Sequence, residues 1–390
     1  MQIIVLGING FPNAFSAKVN RYRSITKMLA SSGHNITVLN RNIGKTDVST
    51  IEYDGYKVNV ENSLSINIPF YTVYKYFKKI TLLFEFVKVF KLCVGNGKRQ
   101  EERVFMVYTP SLFLFLNYIL WAKLFNAKVI YDYVEKRSDF EEGKKNKINR
   151  KGDIILENKA LKYADGIIVI SEYLKNEIKN NFSGVPYLKL PAVCDFKRIR
   201  KIEKRETNKQ YLLYCGSSAY MDVVYFIINA YKKANISSML GLMLIVDIPQ
   251  QEERLINKLL NENINILSGL SYEELISYYK GAAALLIPMR DTIRDIARFP
   301  HKISEYVASE SLIISTNYGE VKYYFKNKES ALIAETYDEN KYAEILRQMS
   351  EGAYDADGII KSAYLTGINS FSECANKERL SEFIHKIVNG

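Results

Sequence analysis

The sequence predicts an α/β protein made of two doubly wound parallel-sheet domains. Short apolar segments alternate with amphipathic segments along the chain, a pattern typical of parallel strands covered by helices on both faces. A chain of 390 residues is also too long for one ordinary core. A charged stretch without apolar periodicity, residues 191–210, separates two series of strands and indicates a linker.

The first series opens with QIIVL, an apolar run that ends in a glycine turn. Each later run is similarly short and is bounded by polar or turn-forming residues, as buried strands are. The segments between the runs have the apolar spacing of amphipathic helices. The predicted strands are 2–6, 35–39, 104–108, 127–131 and 165–170. Three helices are predicted: one near 17–32, one that follows the third strand and ends near residue 125, and one near 150–163.

Segment 104–122 contains no charged residue and is long enough to span a bilayer. Pro110 within the TPS triplet interrupts it, however, and helices begin after such signals rather than run through them. We therefore predict a short strand and a following helix rather than a membrane span. The chain begins MQIIVLGING, which predicts a strand and a turn, and we expect no signal peptide.

The second series follows the linker and repeats the same alternation. A helix near 220–235 follows its first strand. Two such domains, 1–192 and 205–365, place a cleft between the carboxyl edges of their sheets, where ligands bind. The predicted strands of the second domain are 211–215, 242–246, 264–267, 283–287 and 311–316.

The net charge of +11 and a pI near 9.1 favour a polyanionic partner. Nucleic acid, an anionic membrane and phosphate-bearing substrates all satisfy this condition. We predict no nucleic-acid partner, because no known DNA- or RNA-binding module is present and the basic residues are spread over both domains. The four cysteines lie far apart without metal-ligand spacing, which argues against a disulfide framework and against a metal site.

Each domain opens with a glycine turn between a strand and a helix. In LGINGFPNAF, Gly7 and Gly10 allow close approach of a phosphate or sugar, or simply form a tight turn. In YLLYCGSSAYMD, Gly216 precedes Ser217 and Ser218, whose hydroxyls either donate to phosphate oxygens or cap the following helix. The third glycine and the acidic residue of a dinucleotide fingerprint are missing from the first turn.

The stretch RDTIRDIARFPHKISEYVAS, residues 290–309, lies between two apolar strands. A strand, a charged loop, a helix and a strand are typical of a ligand site at the carboxyl edge of a parallel sheet. The spacing of four would place the three arginines on one side only if residues 290–298 formed a helix. Pro300 would end such a helix. The alternative is a solvated charged face. The charged residues of interest are Arg290, Arg294, Arg298, Lys302 and Glu305.

The ordered set of motifs resembles the retaining glycosyltransferases of family four, which have the GT-B fold. GINGFPNAFSAKVNRYRSITKMLASSGHNITVL resembles the family's first strand, glycine loop, arginine-bearing helix and second strand. KALKYADGIIVISEYLKNEI and LPAVCD resemble the elements that close its first domain. LSGLSYEELISYYKGAAALLIPM and FPHKISEYVASESLIIST resemble its donor-binding half. The resemblance covers nearly the whole chain.

This resemblance implies transfer of a hexose from a nucleotide-sugar to an acceptor hydroxyl with retention, without a metal or another cofactor. Protein cations would then neutralise the leaving diphosphate, and Glu305 would bind the ribose hydroxyls. The last segment, 366–390, would cross back to the first domain. The implied residues are Gly216, Ser217, Ser218, Asp222, Arg290, Arg294, Arg298, Lys302 and Glu305 for the donor, Gly7, Gly10 and Arg21 on the acceptor side, and Glu135, Asp132 and Lys302 in catalysis.

Several positions depart from the family pattern. Ala297 replaces the first of two glutamates that stand eight positions apart, and Ser217 replaces an arginine that binds the donor phosphates. Met221 or Asp222 occupies the place of a lysine, and Val134 stands where many members have a histidine. An alternative is therefore a degenerate GT-B protein that binds a nucleotide-sugar or a partner without transfer.

The acceptor is expected to be a glycan or a lipid-linked glycan in surface polysaccharide synthesis, such as capsule, O-antigen or exopolysaccharide. Residues 71–103 hold eight basic and three acidic residues among aromatic ones. Such a stretch either lies on an anionic membrane or forms an ordinary helix with a basic outer face. We predict a cytoplasmic protein, peripheral on the inner face of the cell membrane. The only D-x-D, Asp355 and Asp357, is interpreted as turn chemistry.

Overall fold

The computed structural model describes residues 1–14, 16–43, 48–64, 71–94, 102–139 and 147–390, with only the backbone described for 42–43, 48, 63–64, 71–81 and 147. The chain divides into two compact units. Unit 1 comprises Met1–Val193 and Glu373–Gly390, and unit 2 comprises Cys194–Ser372. Each unit has its own sheet and its own hydrophobic core. The predicted pair of parallel-sheet α/β domains is confirmed.

Unit 1 is built on an eight-stranded sheet of order β3-β4-β2-β1-β5-β6-β7-β8. Its buried central strand β1 pairs in parallel with β2 on one side and with β5 on the other. The helices cover this sheet. The elements are β1 (Gln2–Leu6), α1 (Ala17–Ser31), β2 (Asn35–Ile43), β3 (Val48–Tyr53), β4 (Tyr56–Leu64), α2 (Tyr71–Val94), β5 (Arg103–Val107), α3 (Leu112–Leu124), β6 (Ala127–Tyr133), α4 (Lys147–Ile155), β7 (Gly166–Val169), α5 (Glu172–Asn181) and β8 (Tyr187–Lys189).

The hairpin of β3 and β4 is the one antiparallel pair in the described part of this sheet, and it was not predicted from the sequence. The dipeptide Asp54-Gly55, a strong signal for a two-residue hairpin loop, joins the two strands. Helix α4 is shorter than the predicted helix near 150–163, because the chain continues into a π-helical turn at Leu156–Ala160.

Unit 2 has a six-stranded parallel sheet of order β11-β10-β9-β12-β13-β14. The five predicted strands are present, and β14 adds an edge strand. The elements are α6 (Phe196–Lys201), β9 (Tyr211–Cys215), α7 (Met221–Ala234), β10 (Gly241–Ile245), α8 (Gln250–Asn257), β11 (Ile264–Leu267), α9 (Tyr272–Gly281), β12 (Ala284–Ile287), α10 (Ile293–Ile296), α11 (His301–Ala308), β13 (Leu312–Thr316), α12 (Val321–Tyr324), β14 (Leu332–Ala334), α13 (Glu339–Ser350) and α14 (Ala356–Phe371).

The predicted linker at 191–210 is only partly correct. The side chain of Asp195 caps helix α6 by accepting a hydrogen bond from the N–H of Arg198 at 3.0 Å. Phe196 and Ile199 of this helix are buried. Unit 2 therefore begins with α6, earlier than the predicted residue 205. The helix was missed because six residues are too few to display apolar periodicity.

The chain after residue 355 forms two helices. Asp355 accepts a hydrogen bond from the N–H of Gly358 at 3.0 Å and caps α14, so the D-x-D begins a helix. The last helix, α15 (Glu373–Asn389), belongs to unit 1 and packs against α1. In the part of the chain that the structure describes, no helix is both long and apolar enough to cross a membrane.

Candidate functional site

The strand order of each sheet reverses at one position, and in each unit several of the predicted site residues lie there. In unit 2, the chain passes from β9 to β10 and β11 on one side, then returns to β12, β13 and β14 on the other. The loops that follow β9 and β12 therefore diverge, leaving a crevice at the carboxyl ends of these strands. The sequence places its glycine turn after β9 and its arginine-rich loop after β12.

The glycine turn after β9 is shaped by its contact with Tyr214. A Cβ at Gly216 would lie 2.5 Å from Cε1 of the buried Tyr214 ring, so this position requires glycine. Ser217 and Ser218 are exposed at the start of a short 3₁₀ turn. Neither serine caps α7, whose N-cap position is Tyr220. The interpretation of the serines as helix caps is thus wrong, whereas their role as phosphate donors stays a prediction.

The three arginines converge on the ring of Tyr220. Their guanidinium carbons lie 5.4, 4.4 and 4.2 Å from its centroid, in the order Arg290, Arg294 and Arg298. These are cation–π distances. The side chains of Arg290 and Arg298 are only 14% and 25% exposed, which contradicts the alternative of a solvated charged face.

The arginines do not share a helix. Helix α10 covers only Ile293–Ile296, and the side chain of Thr292 caps it. Pro300 is the N-cap residue of the next helix, α11. Arg290 and Arg298 therefore belong to the loops that flank α10. Their spacing of four suggested a common helical face, but the loops bring them to Tyr220 instead.

Asp295 organises two of the arginines and was not predicted from the sequence. Its carboxylate is 1% exposed and accepts hydrogen bonds from Nε and Nη2 of Arg290, at 2.8 and 2.9 Å. It also accepts one from Nη2 of Arg298 at 2.9 Å. Burial alone raises the pKa of Asp295, but the hydrogen bonds and charges of the arginines lower it below its usual value. Asp295 is therefore ionised and fixes both guanidinium groups in place. The sequence feature that could have identified Asp295 is its position between Arg294 and Arg298 in the loop.

Asp222, in the first turn of α7, forms an ion pair with Nη1 of Arg290. This predicted donor residue therefore lies in the arginine cluster. Ala297, at the position of the missing glutamate, is fully buried. Met221 is also buried, so of the two residues that could replace the family's lysine, Asp222 alone reaches the surface of the crevice.

Lys302 and Glu305 project from α11 toward the same turn. Nζ of Lys302 donates a hydrogen bond to the carbonyl oxygen of Cys215 at 2.5 Å, beside Gly216. Burial lowers the pKa of Lys302, the charge of Arg298 lowers it further, and Glu305 opposes the shift. Glu305 is buried, and burial raises its pKa to about 7, although Lys302 and a hydrogen bond with Tyr272 act in the opposite direction.

In unit 1, the strand order reverses between β1 and β5, and a pocket of about 360 Å³ lies at their carboxyl ends. Gly7 lines it, whereas Gly10 and Arg21 do not. A Cβ at Gly7 would lie 2.3 Å from the carbonyl oxygen of Tyr108, so glycine lets the turns after β1 and β5 meet. The lining residues are Gly7, Asn9, Lys18, Tyr108, Thr109, Pro110, Tyr131, Asp132, Tyr133, Val134, Glu135, Arg137, Leu156 and Glu157.

Two predicted residues of unit 1 bind each other. Nε and Nη2 of Arg21 donate to Asp132, at 2.9 and 2.8 Å, and both side chains are buried. Nη1 of Arg21 donates to the carbonyl oxygens of Leu190 and Pro191. Arg21 therefore ties the end of β6 to the chain after β8, instead of lining the pocket. Because Arg21 occupies both carboxylate oxygens of Asp132, the geometry favours Glu135 as the group that meets a substrate.

Glu135 is half-buried, and its carboxylate lies 3.6 Å from Nη1 of Arg137. Three further acidic or basic side chains line the pocket and were missed: Lys18, Arg137 and Glu157. Burial lowers the pKa of Lys18 and raises that of Glu157. These residues lie on separate elements, and Lys18 alone falls within a stretch that resembles the family, where it was given no role. Among the residues that the structure describes, no group of three or more His, Cys, Asp or Glu could hold a metal ion.

Comparison with known proteins supports the fold in full and the family over one unit. Residues 195–366, nearly all of unit 2, match the family described as "Glycosyl transferases group 1". No curated protein matches the chain in sequence.

The whole chain is similar to solved structures. Sucrose-phosphate synthase from Thermosynechococcus elongatus superposes with a TM-score of 0.77 at 16% identity, covering 99% of this chain and 98% of that one. Anabaena HepE, solved in complex with UDP and glucose, has a TM-score of 0.66 at 11% identity over 99% and 100% of the two chains. A trehalose-6-phosphate protein from E. coli, bound with UDP-2-fluoro glucose, has a TM-score of 0.65 at 12% identity over 100% and 99%. The fold is therefore GT-B, as predicted.

Proposed function

We propose that this protein, a GT-B glycosyltransferase whose residues 195–366 belong to the glycosyl transferases group 1, moves a hexose from a nucleotide-sugar to an acceptor hydroxyl. One observation carries the proposal. Three arginines converge on Tyr220 at the position where the strand order of unit 2 reverses, and the charge of Lys302 interacts with both Arg298 and the buried Glu305. Membership of family four is consistent with these features.

The cation cluster suits a diphosphate leaving group. As the glycosidic bond breaks, negative charge develops on the departing nucleoside diphosphate, and fixed cations in a partly buried site stabilise it. The guanidinium groups offer paired N–H donors to phosphate oxygens, and Asp295 holds two of them in position before the ligand arrives. The cluster holds the three arginines and Lys302 together with the carboxylates of Asp222, Asp295 and Glu305. The pKa of Glu305 is raised to about 7.

Glu305 is suited to bind the ribose hydroxyls. A buried carboxylate with a raised pKa lacks enough hydrogen-bond donors to stabilise its charge. Two hydroxyl groups of a ribose would supply such donors. Gly216 and the exposed serines after it would receive the phosphates at the neighbouring turn.

In unit 1, the pocket with Glu135 would bind the acceptor hydroxyl. Transfer would proceed with retention, as the family resemblance implies. It would need no metal, because leaving-group stabilisation and positioning by protein cations would supply the main catalytic effect. Two of the structural relatives were solved with UDP or a UDP-sugar, so UDP-sugars are the first donors to test. The acceptor would be a surface glycan or a lipid-linked glycan on the inner face of the cell membrane.

A second candidate function is binding of a nucleotide-sugar without transfer. It is favoured by the apolar Ala297 at the position of a family glutamate and by the pairing of Arg290 with two carboxylates, Asp222 and Asp295. Both candidates require donor binding in unit 2, and they differ in turnover.

The experiment is thermal stabilisation by UDP-, GDP-, ADP- and dTDP-sugars in the presence of a chelator, followed by measurement of released nucleotide. A ligand that binds only the folded protein raises its stability according to the ratio of ligand concentration to dissociation constant. Binding with slow release of nucleotide supports the transferase, and binding without release supports the second candidate. Absence of stabilisation by every donor contradicts both. Replacement of the chelator by a divalent cation should change neither result if the reaction is independent of metals.

A further inference from the structure

Three neighbouring helices of unit 1 expose an apolar surface. In α3, Phe113, Leu116, Leu120 and Leu124 are exposed, at the spacing of one helical face. In α2, Leu83, Val87, Phe90 and Val94 form a second exposed row with similar spacing. Ile154 and Ile155 of α4 add to it. Soluble proteins rarely leave such rows uncovered, and a contiguous apolar patch marks an interaction site.

The rows belong to one surface because the helices pack side by side. The rings of Phe86 and Trp121 lie 5.4 Å apart, and those of Phe90 and Phe125 lie 6.0 Å apart, joining α2 to α3. The buried Glu85 of α2 accepts a hydrogen bond from the hydroxyl of Tyr118 at 2.8 Å. Helix α4 approaches α3 where a Cβ at Gly152 would lie 3.9 Å from Cβ of Leu112.

The exposed charges that the structure describes on these three helices have one sign. On the side chains of α2, α3 and α4 that the structure describes, the exposed charged residues are all lysines: Lys91, Lys123 and Lys151. The acidic side chains Glu85 and Asp153 of these helices are buried. Leucine and phenylalanine rows bordered by lysines are typical of surfaces that lie in the interface of an anionic bilayer. In a symmetric dimer, by contrast, this surface would bring the lysines of two copies together.

We propose that the exposed face of α2, α3 and α4 docks on an anionic lipid membrane. The apolar rows enter the headgroup and acyl boundary, and the three lysines contact the lipid phosphates. From sequence alone, membrane contact is predicted only for residues 71–103. Residues 95–101 and the side chains of 71–81 lie outside the described residues, whereas α3 and α4 contribute half or more of the face described here.

The same helices border the pocket of unit 1. Pro110 lines the pocket immediately before Ser111, the N-cap of α3, and Leu156 lines it immediately after α4. Docking through this face would therefore hold the pocket close to the bilayer, where a lipid-linked acceptor presents its sugar. This last step depends on the proposed function, but the docking itself does not.

Co-sedimentation of the full chain with vesicles tests the proposal. The probes are vesicles of phosphatidylcholine alone and of phosphatidylcholine mixed with phosphatidylglycerol. We expect binding to the mixed vesicles that is about tenfold stronger than to the neutral ones and that weakens with added salt. The double variant Leu120→Gln/Leu124→Gln should bind about tenfold more weakly, because two exposed apolar anchors are lost.

The matched control is Leu255→Gln/Leu365→Gln, which replaces two similarly exposed helical leucines of unit 2 and should bind like the unsubstituted protein. Lys123→Gln/Lys151→Gln should reduce the preference for anionic vesicles, whereas Lys258→Gln should not. Unchanged thermal unfolding would show that the variants are folded.

Failure of the protein to bind anionic vesicles, or equal binding by the Leu120/Leu124 variant, overturns the proposal. Self-association in size-exclusion chromatography that the same variant abolishes, without vesicle binding, would identify an interface between copies and also overturn it. Donor stabilisation should be unaffected by these variants. Loss of donor binding in every form of the protein, with vesicle binding retained, would contradict the proposed function and leave the docking face intact.

Discussion

Asp295 accepts hydrogen bonds from both Nε and Nη2 of Arg290, at 2.8 and 2.9 Å, from a position that is almost fully buried. Asp295 also accepts a hydrogen bond from Arg298 at 2.9 Å, so its carboxylate anchors two guanidinium groups. Side chains as flexible as arginine lose much conformational entropy when a ligand immobilises them. An anchor that orders them beforehand removes part of that cost from ligand binding.

The first prediction concerns this anchor. Asp295→Asn should reduce the free energy of unfolding by about 2 kcal/mol, since hydrogen bonds between charged partners are replaced by weaker neutral ones. Urea unfolding measures the change. Asp291→Asn, an exposed position in the same loop, is the matched control and should change stability little. Equal unfolding midpoints for the two variants would show that Asp295 is not an anchor.

The second prediction concerns the cations. Arg298→Gln should weaken binding of a nucleoside diphosphate by about ten- to a hundredfold, because a positioned guanidinium that we propose contacts phosphate is removed. Isothermal titration with UDP measures the dissociation constant. Arg254→Gln, an exposed position on α8 of the same unit, controls for the loss of one positive charge. If both variants bind UDP equally well, the arginine cluster is not the phosphate site.

The third prediction concerns the pH dependence of donor binding. The pKa of Glu305 is raised to about 7, and ribose hydroxyls that donate to its carboxylate would favour the ionised form. Donor binding should therefore release protons near neutral pH, and affinity should fall as pH drops below about 7. Titration calorimetry in buffers of different ionisation enthalpy measures the proton release. Glu305→Gln should bind more weakly, with no such pH dependence.

The same shift has a consequence for stability. Because the folded-state pKa of Glu305 lies above its ordinary value, the protonated form favours folding, and this contribution is lost as pH rises from about 4.5 to about 7. Relative to the unsubstituted protein, Glu305→Gln should gain up to about 3 kcal/mol between pH 4.5 and pH 8. Urea unfolding at both pH values measures the difference. A constant difference between the two proteins would contradict the raised pKa.

The fourth prediction separates Asp132 from Glu135, two of the acidic residues that line the unit 1 pocket. Asp132→Ala should destabilise the protein by about 3–5 kcal/mol, because the buried guanidinium of Arg21 loses its charged partner. Glu135→Gln should change stability by less than about 1 kcal/mol, since its pair with Arg137 is partly exposed. Unfolding measures both changes.

Measurement of transfer activity tests the role of Glu135 directly. Glu135→Gln should lower activity in a folded protein. Full activity of that variant, measured with the donor found by thermal stabilisation, would exclude Glu135 from the reaction.

The sequence by itself determined the architecture of both units. Apolar runs such as QIIVL and YLLYC are central strands because a strand covered on both faces must be apolar at nearly every position. The glycine turns, Lys302 and Glu305 were also found from sequence, because they lie in motifs that are local in the chain. The hairpin β3–β4 was missed although the dipeptide Asp54-Gly55 signals it.

Only the tertiary structure decided which side chains meet. Tyr220 and Arg298 are far apart in the sequence, and the contact between them arises because β9 and β12 are neighbours in the sheet. Burial decided the role of Asp132, which pairs with Arg21 across more than a hundred residues. Burial also separated the exposed leucines of α3 from Phe115, Tyr118 and Ile119 of the same helix, which pack inward. Local patterns determine elements, whereas contacts distant in sequence depend on strand order and solvent exclusion, which no short segment encodes.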